Sequence, residues 1–212
     1  MRAEPASPVQ AIVVTPTAHL ETIAAAAVAS GLAMLDADLE SPHWDEWIRG
    51  LFTKSVRRVS KESRVRRIDA LDIPKVRFNT GDATAWAFAP APYAEWPKEL
   101  SRLQVSGLDL RDNDDADEYI VPTEAAHPHV VINRDVDMTT GKAAAQAAHA
   151  ACLWLLHAPQ RVRDEWQADP GLRLTVGDVH VVAPERIEVH DSGLTEIAPN
   201  TLTTVAGVPP VA

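Results

Sequence analysis

The chain has 212 residues, of which 46% are hydrophobic and 24% charged, and its formal net charge is −10. This length and apolar content suit a globular protein with a sizeable core and exclude a disordered chain. The single cysteine, Cys152, excludes an internal disulfide and a multi-cysteine metal site. Because the apolar runs are too short to span a bilayer and the first residues lack a secretory pattern, we expect a cytoplasmic protein that does not bind membranes.

Charge is unevenly distributed along the chain. Ten basic and three acidic residues lie between Arg49 and Arg77, so this basic band carries +7 and the remainder carries −17. Such a band is typical of a surface that binds a polyanion, and a solvated helix face with local ion pairs is the alternative. The candidate substrate-binding residues of the basic band are Arg57, Arg58, Lys61 and Arg64.

The first half predicts the order β-α-α-β-β. The predicted elements are a strand at 9–16, an Ala-rich helix at 19–38, a helix at 42–59, and strands at 76–79 and 84–88. The last two flank Thr80-Gly81-Asp82, which predicts a hairpin turn. We therefore interpret residues 1–89 as an N-terminal α/β region.

Residues 90–128 are Pro-rich and acidic, which predicts a connector with a short docked helix near Lys98. Residues 129–212 then predict a second α/β region. Its predicted elements are a β-branched strand at 129–133, a helix at 141–156, two strands within 171–182, and strands at 186–191 and 201–207. The whole chain thus predicts an α/β fold with helices packed on a small mixed sheet.

The two halves are alike in outline. Each has a strand, a polar turn and an Ala-rich helix, and later a strand, a Gly-containing turn and another strand. This pattern predicts a degenerate duplication that gives two related α/β halves in one chain.

The helix at 141–156 carries polar residues in an otherwise Ala-rich run. Lys142, Gln146 and His149 are spaced by four and three residues, so they share one helix face. A partly buried lysine requires an anion, a carbonyl or water, which favours a site over a passive surface. An exposed helix edge remains the alternative for Lys142, and a structural role remains open for His149.

A second cluster follows the strand at 186–191. Asp191 and Thr195 flank Gly193 in a turn, a pattern that is weak evidence alone because these residues are common turn formers. A turn at a strand end can lie near the N-terminus of a helix on the same sheet, where α/β proteins often bind ligands. A carboxylate, a hydroxyl, a carboxamide and an ammonium group would then share one cleft.

Together these two clusters resemble the non-classical peptidyl-tRNA hydrolase family, the archaeal and eukaryotic type that is also found in actinobacteria. The first motif, Asp-x-x-Met-x-x-Gly-Lys-x-x-x-Gln-x-x-His-Ala, runs from Asp135 to Ala150. The second, Asp-x-Gly-x-Thr-x-x-x-Pro, runs from Asp191 to Pro199. The resemblance covers about 40 residues closely and residues 130–212 in outline. Many members of this family are homodimers, so the resemblance implies either an internal pseudo-dimer of the two halves or a homodimer whose first half is a plain N-terminal RNA-binding appendage.

The resemblance implies hydrolysis of the ester between a peptide and the terminal ribose of tRNA, with no metal or organic cofactor. It places Lys142, Gln146, Asp191 and Thr195 at the reaction centre and includes Gly141 and His149 as substrate-binding candidates. Our hypothesis is that Asp191 orients or deprotonates the attacking water, which Thr195 also contacts. Lys142 and the helix N-terminus would then stabilise the oxyanion or a phosphate, and Gln146 would position the carbonyl.

One departure from the family pattern concerns residues 159–190. Family members have a strand and a second full helix between the motif helix and the aspartate strand. Here Pro170 and Gly171 interrupt a segment of about 30 residues, so we expect no room for both elements. The shortening would put turnover in doubt, which leaves a catalytically inactive relative that binds tRNA or protein as the second hypothesis.

Overall fold

The computed structural model describes residues 7–111, 116–181, 185–193 and 197–210. Its strands are β1 Gln10–Val14, β2 Lys54–Arg58, β3 Lys75–Thr80, β4 Ala83–Phe88, β5 Glu118–Val121, β6 His129–Asn133, β7 Leu172–Gly177, β8 Arg186–His190 and β9 Leu202–Gly207. Its α-helices are α1 His19–Leu35, α2 Trp44–Arg49, α3 Glu62–Asp69, α4 Lys98–Ser101, α5 Thr140–His157 and α6 Gln160–Ala168. Single 3₁₀ turns lie at Tyr93–Glu95 and Val179–Val181.

The N-terminal sheet has the strand order β2-β1-β4-β3. Strand β1 is parallel to β2 and antiparallel to β4, and β4 pairs with β3 along the whole predicted hairpin. Gly81 adopts a φ of 51° in the connecting turn, a left-handed conformation that glycine tolerates without a Cβ clash. The hairpin prediction is therefore confirmed.

The C-terminal sheet has the order β5-β7-β6-β9-β8. Strand β6 is parallel to β7 and antiparallel to β9, which is antiparallel to β8. Without the edge strand β5, this sheet repeats the order and strand directions of the N-terminal sheet. The predicted mixed α/β fold class is confirmed, whereas the internal pseudo-dimer remains a prediction.

Helices α1 and α5 lie side by side between the sheets. His19 contacts Thr140 at the start of both helices (Nδ1 to Oγ1, 2.8 Å), and Ser30 contacts Cys152 about three turns later (Oγ to Sγ, 3.3 Å), so the helices run in the same direction. Buried alanines of both helices belong to one hydrophobic cluster that includes residues of both sheets. Small side chains allow this close approach, and the two halves share one core.

The two halves also make an equivalent contact between a helix and a turn. Glu21 is the third residue of α1, and its Oε1 accepts a hydrogen bond from the backbone N–H of Asp82, between β3 and β4, at 2.6 Å. Lys142 is the third residue of α5, and it meets Asp191, which follows β8 and precedes β9. The position is shared, but the helix residue is acidic in one half and basic in the other.

The predicted helix at 42–59 is wrong beyond Gly50. Helix α2 ends at Arg49, Phe52 adopts a φ of 53°, and the chain continues as β2, which pairs with β1 over five residues. The apolar spacing of Trp44, Trp47 and Ile48 identified α2 correctly. Strand β2 was missed because pairing with a buried neighbour, rather than its own Lys-Ser-Val-Arg-Arg pattern, stabilises it.

The expectation that residues 159–190 have no room for a helix and a strand is also wrong. Helix α6 and strand β7 both form, and Asp169, Pro170 and Gly171 make the turn between them. Gly171 lies against Thr123, so a Cβ at this position would overlap the Thr123 side chain. The second strand that we expected within 171–182 is instead the 3₁₀ turn at Val179–Val181.

The segment 90–128 contains structure that the connector prediction did not include. Helix α4 confirms the docked helix near Lys98, and strand β5 pairs antiparallel with β7 at the edge of the C-terminal sheet. The segment therefore contributes to both halves of the molecule. The boundaries 1–89, 90–128 and 129–212 remain a prediction.

Candidate active site

Helix α5 brings its polar residues to one end of the C-terminal sheet. Thr139 caps the helix, because its Oγ1 accepts a hydrogen bond from the backbone N–H of Lys142 at 3.3 Å. Lys142 and Gln146 follow on the same face, one turn apart. The side chain of Lys142 is 12% exposed, so the alternative of a passive surface lysine does not describe it.

Lys142 and Gln146 converge on the carboxylate of Asp191. The Lys142 ammonium forms an ion pair with Oδ2, and Gln146 Nε2 donates to the same oxygen at 2.8 Å. The backbone N–H of Gly193 donates to Oδ1 at 2.7 Å. Both oxygens of this buried carboxylate are therefore held, which fixes its orientation towards the lysine.

Thr203 on β9 adds a further contact to the hydrogen-bond network of Gln146 and Asp191. Its hydroxyl lies 3.0 Å from both Gln146 Oε1 and the Val189 carbonyl, and these two acceptors share its single proton. Both ends of the Gln146 amide are thus engaged, which defines the orientation of that side chain. Sequence reasoning missed Thr203. A fully buried threonine on the inner face of a strand that faces a polar helix residue is the signal that could have identified it.

The backbone around Asp191 is fixed by the strand pair. Its N–H donates to the Thr201 carbonyl at 2.9 Å, and its carbonyl accepts from the Asn200 N–H at 2.6 Å. Asn200 adopts a φ of 65°, a conformation that asparagine tolerates better than most residues. Backbone hydrogen bonds to Asn200 and Thr201 therefore hold the residue that carries the carboxylate, directly after the end of β8.

His149 lies one turn beyond Gln146 on the same helix. Its ring lies 5.5 Å from that of Phe52, centroid to centroid, in an edge-to-face arrangement. Burial lowers the pKa of His149 well below its ordinary value, and the Lys54 and Lys142 ammonium groups act in the same direction. The imidazole is accordingly neutral near pH 7.

Two cavities meet at Lys142. The larger, of about 680 Å³, lies between the N-terminal half and the start of α5. The C-terminal half contributes Thr139, Gly141, Lys142 and Ala145 to its wall. The smaller, of about 390 Å³, includes Gln146 and Asp191. Lys54 and Lys142 line both cavities, so the cleft is built from both halves.

Lys54 is a cleft residue that the sequence did not single out. It lies on β2 with 8% exposure, and its Nζ lies 3.6 Å from the Phe52 ring centroid and 4.3 Å from that of Trp47. Desolvation lowers the pKa of Lys54 to about 8, against a smaller opposing effect of Cys152. In sequence it was one of ten cations in the basic band, and only the parallel pairing of β2 brings it inside.

Lys54→Met should increase the stability of the protein at pH 7 by up to about 3 kcal/mol, since a lowered lysine pKa means that folding opposes the charged form. The pKa of Lys54 is about 8 in the folded protein and 10.5 in the unfolded chain. The destabilisation caused by its charge is therefore fully present below pH 8 and disappears as the pH rises to 10.5. Urea titrations of both proteins at pH 7 and pH 10 measure this. A stability difference that does not change with pH would contradict it.

The other candidate residues occupy different environments. Arg57 is buried, donates from Nη1 to the carbonyls of Ser101 (3.2 Å) and Leu103 (2.9 Å), and lines the larger cavity. Arg58 donates to Gln104 Oε1 at 2.6 Å. Lys61 and Arg64 are exposed, and Thr195 lies outside the described residues. The basic band is therefore divided between the interior and the surface.

The backbone N–H of Gly141 donates to the Leu108 carbonyl at 3.0 Å, which docks the start of α5 against the segment after α4. Among the described residues, no three His, Cys, Asp or Glu side chains are grouped so that they could hold a metal ion. In the same part of the chain, none of the helices has the length and apolar character needed to cross a membrane.

The fold and the site define an α/β protein with a buried Lys-Gln-Asp cluster at a sheet edge. Comparisons with known proteins identify the family to which it belongs. The family model of peptidyl-tRNA hydrolase PTH2 matches residues 128–180. A peptidyl-tRNA hydrolase of Aeropyrum pernix is 33% identical over 96 residues, which cover 36% of this chain and 77% of the relative. The chain belongs to the PTH2 family of peptidyl-tRNA hydrolases, as the two motifs indicated. No solved structure matches it.

Proposed function

We propose that this chain hydrolyses the ester bond between a peptide and tRNA. The observation that carries the proposal is the buried cluster of Lys142, Gln146 and Asp191, which lies beside a cleft large enough for a substrate. An ion pair with only 12% and 3% side-chain exposure is costly to retain unless its geometry is used. Substrate and activity follow from the family to which the chain belongs.

In the proposed reaction, a water molecule attacks the ester carbonyl carbon and the bond to the ribose oxygen breaks. Asp191 orients that water and takes one of its protons, and it then gives this proton to the leaving ribose oxygen as the peptide acid is released. Lys142 stabilises the negative charge that develops on the carbonyl oxygen. Because both ends of its amide are bonded, Gln146 holds Asp191 in place rather than binding the substrate carbonyl, which revises our first hypothesis.

We further propose that the exposed part of the basic band binds the tRNA backbone. Lys61 and Arg64 lie at the start of α3, and Arg64 shares a pocket of about 190 Å³ with Arg67, Lys98 and Arg102. Arg58 lies beside Gly107, a residue that lines the larger cavity. These cations suit the polyanionic backbone of an acceptor strand.

The direct test is incubation of the protein with a peptidyl-tRNA and gel detection of the released tRNA. The wild type should release tRNA at a rate proportional to enzyme concentration, and Asp191→Asn should release little. Absence of release by folded wild-type protein would favour the second hypothesis, a relative that binds tRNA or protein without cleaving it. We infer a cytoplasmic location, because translation produces the substrate.

We also propose that the N-terminal half takes the place of a second subunit. The common strand order of the two sheets, the parallel packing of α1 against α5 and the equivalent contacts of Glu21 and Lys142 support this. A monomer of 23.0 kDa is then the expected species in size-exclusion chromatography with light scattering. A stable species of about twice that mass would contradict an internal pseudo-dimer.

A further inference from the structure

Strand β2 is an edge strand of the N-terminal sheet, with β1 on one side only. Towards β1, the Val59 N–H directly after the strand donates to the Val14 carbonyl at 2.9 Å. On the opposite side, the Arg58 N–H donates to the Gln104 carbonyl at 3.1 Å and forms an isolated antiparallel bridge. Consecutive residues of β2 therefore present their backbone groups to opposite sides.

The backbone groups of Lys54 and Val56 face away from β1, because both residues alternate with Arg58 along the strand. Among the described residues, β2 pairs with β1 alone, apart from the bridge at Arg58. A strand rises about 3.3 Å per residue, so Lys54 and Val56 present their outward N–H and C=O groups about 7 Å apart. The outer side of β2 is thus a template for another extended chain.

The segment that follows the bridge keeps this edge open. Gly107 adopts a φ of 72°, a left-handed conformation that turns the backbone away from β2. The Leu108 carbonyl then accepts a hydrogen bond from the Gly141 N–H at 3.0 Å, so the segment docks on the start of α5. The larger cavity lies in the resulting gap, since residues 53–57 and 105–107 both line it.

The larger cavity follows the edge of β2 rather than one of its faces. The Val56 side chain packs in the core that includes α1 and α5, whereas the Arg57 guanidinium carbon lies 5.1 Å from the Tyr93 ring centroid on the other face. Both Val56 and Arg57 line the cavity, which places it along the edge between the two faces. Its volume of about 680 Å³ is within the range of small-ligand sites.

The wall of the larger cavity suits an uncharged chain better than a phosphate group. Arg57 donates to two backbone carbonyls, and Lys54 Nζ is buried 3.6 Å from the Phe52 ring centroid. Lys142, the third basic residue of the wall, forms its ion pair with Asp191. The remaining wall residues are all uncharged. Peptide groups, which carry one donor and one acceptor each, match this surface and the outward groups of β2.

We infer that the outer edge of β2 binds the peptide of the substrate as an added strand. This inference rests on the proposed hydrolase function. Lys142 lines both cavities and pairs with Asp191, so an ester held at Asp191 lies beside the larger cavity. The residues that precede the ester then extend along Lys54 and Val56 and exchange main-chain hydrogen bonds with them. Such recognition does not depend on the side chains of the peptide.

A scan of N-methylated substrates tests these main-chain hydrogen bonds. Four peptidyl-tRNAs carry the same tetrapeptide, each with a different backbone N–H replaced by N-methyl. Alternate residues of an added strand face β2, whether it runs parallel or antiparallel, so one alternate pair of positions should raise KM about fivefold each, the usual effect of one lost hydrogen bond. The other pair should change KM by less than about twofold, and kcat should stay within about twofold throughout.

Two results of this scan would overturn the inference. A uniform effect at all four positions would mean that N-methylation acts through the general shape of the peptide. No effect at any position, together with a KM that depends on the terminal nucleotide of the tRNA, would assign the cavity to the nucleotide instead.

Ser106→Trp tests the same contact from the side of the protein. Ser106 is exposed and lies in the segment that borders the larger cavity, so an indole here would occupy space needed by the added strand. The variant should raise KM for the tetrapeptidyl-tRNA about tenfold and leave KM for a tRNA with one N-acetylated amino acid nearly unchanged. The alternating effect of N-methylation should disappear in this variant.

Ser60→Trp is the matched control. Ser60 is also exposed, follows β2 and lines neither cavity. It should keep the wild-type ratio of the two KM values, because an effect on tRNA binding would change both substrates alike. The same unchanged ratio in Ser106→Trp, with a native circular dichroism spectrum, would overturn the inference.

The inference can fail separately from the proposed function. If the folded wild type did not cleave the ester, a peptidyl-tRNA with an amide in place of the ester would still report binding by fluorescence titration. An alternating effect of N-methylation on its Kd would support the added strand without any turnover. Equal Kd values for all four N-methylated peptides would overturn the inference, whether or not the ester is cleaved.

Discussion

Lys142→Ala should lower kcat for ester cleavage by about 10²- to 10³-fold, the usual cost of removing one group that stabilises an oxyanion. The ammonium is held by Asp191 at the junction of the two cavities, and no other described cation lies in the Asp191 carboxylate network. Single-turnover assays with a peptidyl-tRNA measure the chemical step without product release.

Because the Lys142→Ala variant also leaves a buried carboxylate without its counter-charge, turnover must be compared well below its unfolding temperature, with circular dichroism as the fold control. Lys75→Ala provides the matched control and should retain the wild-type kcat. Turnover near the wild-type rate in folded Lys142→Ala would remove Lys142 from the reaction.

Asp191→Ala should destabilise the protein by about 3 kcal/mol and abolish turnover. Its carboxylate accepts from Lys142, Gln146 and the Gly193 N–H, so its loss leaves a largely buried ammonium and two donors unpaired. Denaturant titrations measure the free energy of unfolding. Asp191→Asn should cost less stability, because its amide oxygen can still accept a hydrogen bond.

A double-mutant cycle separates the ion pair from the other contacts of Asp191. If the unpaired ammonium causes much of the loss, adding Lys142→Met to Asp191→Ala should restore part of the stability. A double variant whose loss equals the sum of the two single losses would show that the pair is not coupled. Neither variant is expected to recover turnover.

The sequence predicted the grouping of Lys142, Gln146 and Asp191 better than it predicted the elements around them. Helix α5 and strand β6 have strong local patterns, and the 142–146 spacing was sufficient to place Lys142 and Gln146 on one face. The approach of Asp191 followed from its position at a strand end. Thr195 remains a prediction, since it lies outside the described residues.

The elements that the sequence analysis missed, β2 and α6, share a physical cause. Contacts with distant parts of the chain stabilise them, rather than their own local sequence pattern. Strand β2 has no alternating pattern and forms because it pairs with β1. Helix α6 is short and polar on one side, and Val162 and Trp166 hold it in the core. The contribution of Lys54 to the cleft depends on both the β2 pairing and the packing of the two halves, so no local pattern could have indicated it.

The likeness of the two sheets within a single chain has a consequence for how the site can evolve. In an assembly of two identical subunits, every substitution appears at two symmetric positions, so a change that helps one site alters both. Here a mutation changes one half alone. The N-terminal half has Glu21 where the C-terminal half has Lys142, and Lys54 and Arg57 of the N-terminal half line a cavity together with Lys142 of the other half. The chain is therefore free to specialise one half for binding and the other for chemistry.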